Sequence, residues 1–91
     1  MFEIVYAEVV VRQDIAKLST SAKKRIKKAI ETKLLSEPEK FGKPLRRSLK
    51  GYRKLRVGDY RVIFRIEKNF VKIFAILKRS VVYEYAKSRV L

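Results

Sequence analysis

The stretch KLRVGDYRVIFRI, Lys54 to Ile66, sets Lys54, Arg56, Arg61 and Arg65 among β-branched and aromatic residues. Cations so spaced can hold phosphate oxygens, and guanidinium groups do so through two parallel hydrogen bonds. The 91-residue chain contains no histidine and no cysteine. The usual general base, the usual zinc ligand and thiol chemistry are therefore excluded, and any catalysis falls to Lys, Arg, Tyr or a carboxylate. From Lys43 to Arg65 there are nine cations and one acid, Asp59. Over the whole chain, 24 Lys and Arg against nine Asp and Glu give a net charge of +15. Such self-repulsion is tolerable when an anionic partner neutralises it, whether nucleic acid, an acidic protein or a membrane.

These cations need a sheet to carry them. Gly58-Asp59 suits a two-residue hairpin turn, which pairs Val57 with Tyr60 and fixes the rest of the register. Arg56 then lies opposite Arg61, Leu55 opposite Val62, and Lys54 opposite Ile63. Side chains alternate between faces, so Leu55, Val57, Tyr60, Val62, Phe64 and Ile66 share one side. A second turn at Lys68-Asn69 adds Val71, Ile73, Ala75 and Leu77 to that side. The opposite face carries Tyr52, Lys54, Arg56, Arg61, Arg65, Lys72 and Lys78, with Phe74 beside Tyr52; only Arg53 is out of place. Arg56 opposite Arg61 is a like-charge pair, which destabilises a sheet by up to about 1 kcal/mol. A surface that only met solvent would more readily alternate its charges, so the pattern favours an anionic ligand over an indifferent face.

Three strands are expected over Gly51–Val57, Tyr60–Glu67 and Phe70–Lys78, preceded by a short strand at Phe2–Tyr6. From Ala7 to Leu18 the apolar period becomes helical, with Ala7, Val11, Ile15 and Leu18 on one stripe. Ser19-Thr20-Ser21 offers N-cap hydroxyls to a second helix, in which Ala22, Ile26, Ala29, Ile30 and Leu34 face inward. The tight join predicts an antiparallel helical hairpin. In the run KKRIKK, Lys23 to Lys28, the cations fall opposite that stripe, as on an ordinary solvated helix face with a secondary steering role. Pro38, Gly42 and Pro44 predict an irregular segment over Ser36–Gly51, and VVYEYAKSRVL reads equally as a short helix or an extended tail. The expected fold is α+β: an N-terminal strand and a two-helix hairpin packed on an antiparallel sheet of about four strands, with a short C-terminal segment. The length suits one domain, residues 1–91. No segment approaches the roughly 18 apolar residues of a membrane span, and no signal peptide is recognised, so a soluble cytoplasmic protein without a membrane partner is expected.

KPLRRSLKGYRKLRVGDYRVIFRI (Lys43 to Ile66) and AILKRSVVY (Ala75 to Tyr83) resemble the RelE/ParE superfamily of microbial toxins. The first is similar to that family's KPL segment, Gly-Tyr opening and Leu-Arg-x-Gly-Asp-Tyr-Arg pattern. The second is similar to its closing Arg-x-x-x-Tyr, and DIAKLS (Asp14 to Ser19) to its first-helix ending. The resemblance covers nearly the whole chain. It implies the toxin of a toxin–antitoxin pair, with a RelB-like acidic antitoxin as partner. RelE-like members cleave mRNA in the ribosomal A site; ParE-like members poison DNA gyrase without a full catalytic set. Lys54, Arg56, Arg61 and Arg79 together look like the RelE side. Many members carry a histidine before the final-strand arginine, where Lys78 stands here. Tyr83 matches the common spacing of the closing tyrosine and Tyr85 a longer one.

The resemblance thus implies metal-free and cofactor-free RNA cleavage. Arg61 would stabilise the charged phosphorane with Arg79 and Arg56 as helpers, while Lys54 and either Tyr83 or Tyr85 would move protons. Lys43, Arg46, Arg47, Lys50, Tyr52, Arg56, Arg65 and Lys78 are the expected RNA contacts. The regular register aims Arg79 into the core, so it reaches the cleft only if the last strand bulges or ends there. Two rival readings remain: a gyrase poison, and an RNA-binding domain without chemistry.

Overall fold

A computed structural model describes residues 1–90. Five strands form one sheet: β1 (Glu3–Tyr6), β2 (Lys43–Pro44), β3 (Arg53–Val57), β4 (Tyr60–Glu67) and β5 (Phe70–Lys78). Their spatial order is β1-β5-β4-β3-β2. The class is α+β, as the periodicities predict. The sheet is nevertheless mixed rather than antiparallel throughout, because β1 runs parallel to β5. It also gains a strand inside the segment expected to be irregular, where Lys43 pairs with Lys54 and Pro44 with Arg53. Proline is tolerated there because β2 is an edge strand with no further neighbour to receive an N–H.

The helix α1 (Thr20–Leu34) begins where the hydroxyls predict, with Ser19 Oγ accepting from the Ala22 N–H at 3.2 Å. Its buried stripe, Ala22, Ile26, Ile30 and Leu34, packs with Leu55, Val57, Val62, Phe64, Val71 and Ile73 into the main core. The preceding arm departs from expectation. It is a π-turn over Val10–Asp14 followed by a 3₁₀ turn over Ile15–Lys17. Val11, expected inside, is 53 % exposed, while Val10 and Asp14 are buried instead. The physical cause is Asp14, whose carboxylate accepts the Ile76 N–H of β5 at 2.9 Å. A short helix α2 (Pro38–Phe41) follows, with proline in its first turn. Arg53, the misplaced cation of the apolar face, donates to the carbonyls of Gly42 at 2.8 Å and Glu39 at 3.2 Å. It thereby satisfies the C-terminal end of α2. Gly42 itself is required by close approach, since a Cβ there would collide with the Phe64 ring.

Both hairpin turns hold as predicted: Val57 pairs with Tyr60, Arg56 with Arg61, and Glu67 with Phe70. One irregularity changes the faces of β5. Ile63 pairs with Ala75 but Phe64 pairs with Ile73, leaving Phe74 as an extra, bulged residue. Beyond the bulge the alternation reverses. Ile76 joins the main core, while Ala75 and Leu77, expected there, move to the opposite side. On that side lies a second, smaller core of Leu49, Ile63, Ala75, Val82 and Ala86. The C-terminal segment covers it as a helix, α3 (Val82–Val90); Leu91, the last residue of that segment, lies outside the described residues. Among the described residues no helix is long and apolar enough to cross a membrane.

Candidate active site

The register arranges the face beneath α3 in three rows. At the β3–β4 turn, Arg56 lies opposite Arg61, and Arg61 opposite Leu77. The middle row is Lys54, Ile63 and Ala75. The far row pairs Arg65 with Lys72, beside Tyr52 and Phe74. Because Ile63 and Ala75 are sealed by Val82, Ala86 and Leu49, the basic face is divided. The expected single cationic stripe is two patches on either side of an apolar saddle.

The near patch is a cavity of 220 Å³ lined by Phe41, Lys43, Lys54, Arg56 and Arg61. Lys54 Nζ donates to Tyr83 Oη at 3.1 Å and stands 5.5 Å from that ring's centroid. Arg61 Nη1 donates to the carbonyls of Gly58 at 3.0 Å and Tyr60 at 2.9 Å, which fixes its guanidinium against the turn. Arg79 stands just past the end of β5. Its N–H donates to Asp59 O at 3.0 Å, and its Nε lies 3.3 Å from Asp59 Oδ1. With its side chain largely exposed, Arg79 is held at the turn rather than pointed into the core. The bulge and the strand end together produce this placement.

The two tyrosines part company. Tyr83 borders the cleft and packs on the second core. Tyr85 is 51 % exposed and borders a different cavity of 290 Å³, shared with Asp14, Leu18, Tyr60, Lys78 and Arg89. Lys78 lies there too, so the bulge removes it from the basic face where the regular alternation set it. Lys43 and Arg56 join the cleft. Arg46, Arg47 and Lys50 are exposed on the turn that delivers Leu49 to the second core. Arg47 adopts a left-handed backbone with φ of 57°, a conformation that costs a non-glycine residue about 1–2 kcal/mol.

The far patch has its own logic. Tyr52 and Phe74 meet with ring centroids 4.9 Å apart, and the Arg65 guanidinium lies 5.7 Å from the Tyr52 ring. Glu67 bridges Lys72 at 2.7 Å and Arg65 at 3.8 Å. The Lys72 hydrogen bond and charge hold the Glu67 carboxyl below its ordinary range. The cations of this patch are thus partly answered from within the chain, whereas among the described residues no acid lines the near cavity.

Two features went unread in the sequence. Phe41, half in solvent, lines the near cavity and offers a ring to a base; it sits in the Pro/Gly-broken stretch, where no periodicity marks it. The buried pair Asp14–Arg89 joins residues 75 positions apart, with contacts of 2.7 and 2.8 Å. The Asp14 hydrogen bond and charge raise the Arg89 guanidinium's pKa against the opposing effect of burial.

The profile of the ParE toxin of type II toxin–antitoxin systems (parDE) matches residues 10–83. The chain belongs to that family. Relatives of this ParE-family chain carry the RelE name as well. It is 44 % identical over 52 residues to Toxin RelE of Mycobacterium tuberculosis, a match covering 55 % of this chain and about half (54 %) of that curated relative. A chain of the toxin–antitoxin complex RelBE2 from Mycobacterium tuberculosis superposes with a TM-score of 0.75 at 31 % identity, over 86 % of this chain and 98 % of that one. Escherichia coli RelE, solved as a mutant with an antitoxin RelBc peptide, shares the fold at a TM-score of 0.67 and 21 % identity, over 93 % of both chains.

Proposed function

We propose that residues 1–91 act as one RelE-like toxin domain that cuts mRNA on the ribosome, in the A site. The observation that carries this reading is the 3.1 Å hydrogen bond to Tyr83 from Lys54, which lines a cavity with Phe41, Lys43, Arg56 and Arg61. Two proton-carrying groups in contact, beside fixed cations, match what phosphodiester transesterification needs. The 2′-OH attacks the adjacent phosphorus and gives up its proton. The bond to the 5′-oxygen breaks, and that oxygen takes a proton, leaving a 2′,3′-cyclic phosphate and a 5′-hydroxyl. Lys54 and Tyr83 serve the two proton transfers, and Arg61 the charge that builds on the phosphorane, with Arg56 and Arg79 as helpers. Lys43 holds the incoming strand by charge and Phe41 stacks a base.

General acid–base groups contribute typically about 10²- to 10⁴-fold, so such a site is slow alone. Holding the message in line on the ribosome supplies the missing orientation, worth several kcal/mol. The excess of cations also calls for an acidic antitoxin, and complexes of similar toxins with antitoxins, such as RelBE2, support that partner. Cleavage of message on programmed ribosomes, with wild type and Arg61→Ala side by side, tests the reading. Cuts confined to ribosome-bound message and reduced about 10²- to 10³-fold in the variant are expected. The name of the matching family profile favours a second reading, gyrase poisoning. Folded wild type that cuts no message but traps gyrase on broken DNA would establish it.

A further inference from the structure

We propose that the Asp14–Arg89 ion pair is a positioning latch, which keeps α3 seated so that the Tyr83 hydroxyl stays on Lys54. The role assigned to that contact rests on the cleavage reading above. Strand β1 ends at Tyr6, and its last tie to β5 is the Ala7 N–H on the Ile73 carbonyl at 3.0 Å. Beyond that point no strand among the described residues pairs with the β5 edge, and two side chains take its place. Asp14 Oδ2 accepts the Ile76 N–H at 2.9 Å, while Arg89 Nη1 donates to the Phe74 carbonyl at 3.1 Å. The carboxylate and guanidinium then meet head-on, through Nη1–Oδ2 at 2.8 Å and Nη2–Oδ1 at 2.7 Å. Asp14 is 2 % exposed and the Arg89 side chain 12 %, so this is an interior junction of three elements.

What makes the junction a positioning device is the weakness of the rest of the grip. Helix α3 has nine residues and fully buries two of them, Val82 and Ala86, with Tyr83 partly packed on the same core. A helix of that length is marginal without tertiary contacts. Arg89 lies in its last turn and Tyr83 in its first, about 9 Å apart along the axis. Releasing the Arg89 end frees the helix to pivot on its N-terminal contacts, Val82, Ala86 and the partly buried Tyr83. The hydroxyl on Lys54 is then lost before the main core is touched, since the helix packs on the other face of the sheet.

The test uses the full chain with Arg89→Gln, Asp14→Asn and the conservative Arg89→Lys. In NMR spectra, contacts between the Lys54 side chain and the Tyr83 ring should weaken in Arg89→Gln and Asp14→Asn. Amide protection in α1 and β4 should be unchanged, and Arg89→Lys should recover part of the contact. On programmed ribosomes, the chemical step at saturation should slow by about 10²-fold in Arg89→Gln. Adding Tyr83→Phe to Arg89→Gln should cost nothing further. Should Asp14→Asn lose core protection, Arg89→Gln decides alone. A Lys54–Tyr83 contact that persists in a folded Arg89→Gln protein would overturn the latch, as would loss of core protection in both variants. Wild type that cuts nothing while the spectra change as expected would refute the cleavage reading and leave the latch standing.

Discussion

The two faces of the sheet are built to different standards. On one, α1 and the π-turn arm enclose a core that includes Phe64, Ile30, Leu34, Val62 and Ile73, all essentially without solvent contact. On the other, Leu49, Ile63 and Ala75 receive Val82 and Ala86 of a nine-residue helix between two cationic patches. The first face follows ordinary stabilising rules. The second places Arg56 opposite Arg61 and, among the described residues, brings no acid to the near cavity. Stability resides on one side of the sheet, and the proposed chemistry would draw on that stability from the other side.

Phe64→Ala breaks the comparison hardest. It empties the centre of the main core and should cost about 3–5 kcal/mol, read as a lower midpoint in urea. A loss below about 1.5 kcal/mol would mean that the helical face does not dominate stability. Arg56→Gln acts in the opposite sense. Removing one member of the like-charge pair should raise stability by up to about 1 kcal/mol while weakening cleavage of ribosome-bound message. A variant that is both less stable and fully active would show that the pair is no compromise. The smallest effect concerns Tyr6, whose hydroxyl has its pKa raised first by burial and then by the charge of Glu31. A raised folded-state pKa favours the native state below the unfolded value of about 10. That contribution is lost as pH climbs through the folded value. Tyr6→Phe should therefore flatten the alkaline fall in stability, and an alkaline limb that overlays the wild type would exclude Tyr6 as its source.

The hairpin and its charge pairing were legible because Gly58-Asp59 and Lys68-Asn69 fix two registers locally, and alternation does the rest. Ser19 was legible as a cap for the same local reason. The bulge at Phe74 was not, since an extra residue in a run of apolar side chains leaves no mark in the sequence. Its effects nevertheless reach Ala75, Leu77, Lys78 and Arg79. The burial of Asp14 was not legible because its partners, the Ile76 N–H and Arg89, are remote in sequence. Tyr83 and Tyr85 were equivalent as a spacing, and only the seat of α3 separates them.

The parallel β1–β5 pairing carries a kinetic consequence. Strands β3, β4 and β5 are joined by two-residue turns and can pair at once, whereas β1 must bring Glu3 to Phe70 across most of the chain. Long closures are slow because their entropy is lost before any contact rewards it. The meander with its cations is thus expected to form early, against its own repulsion, and the four-residue edge strand to dock late. Residues of β1 then bear chiefly on how long the native state survives, and the meander on how fast it is reached.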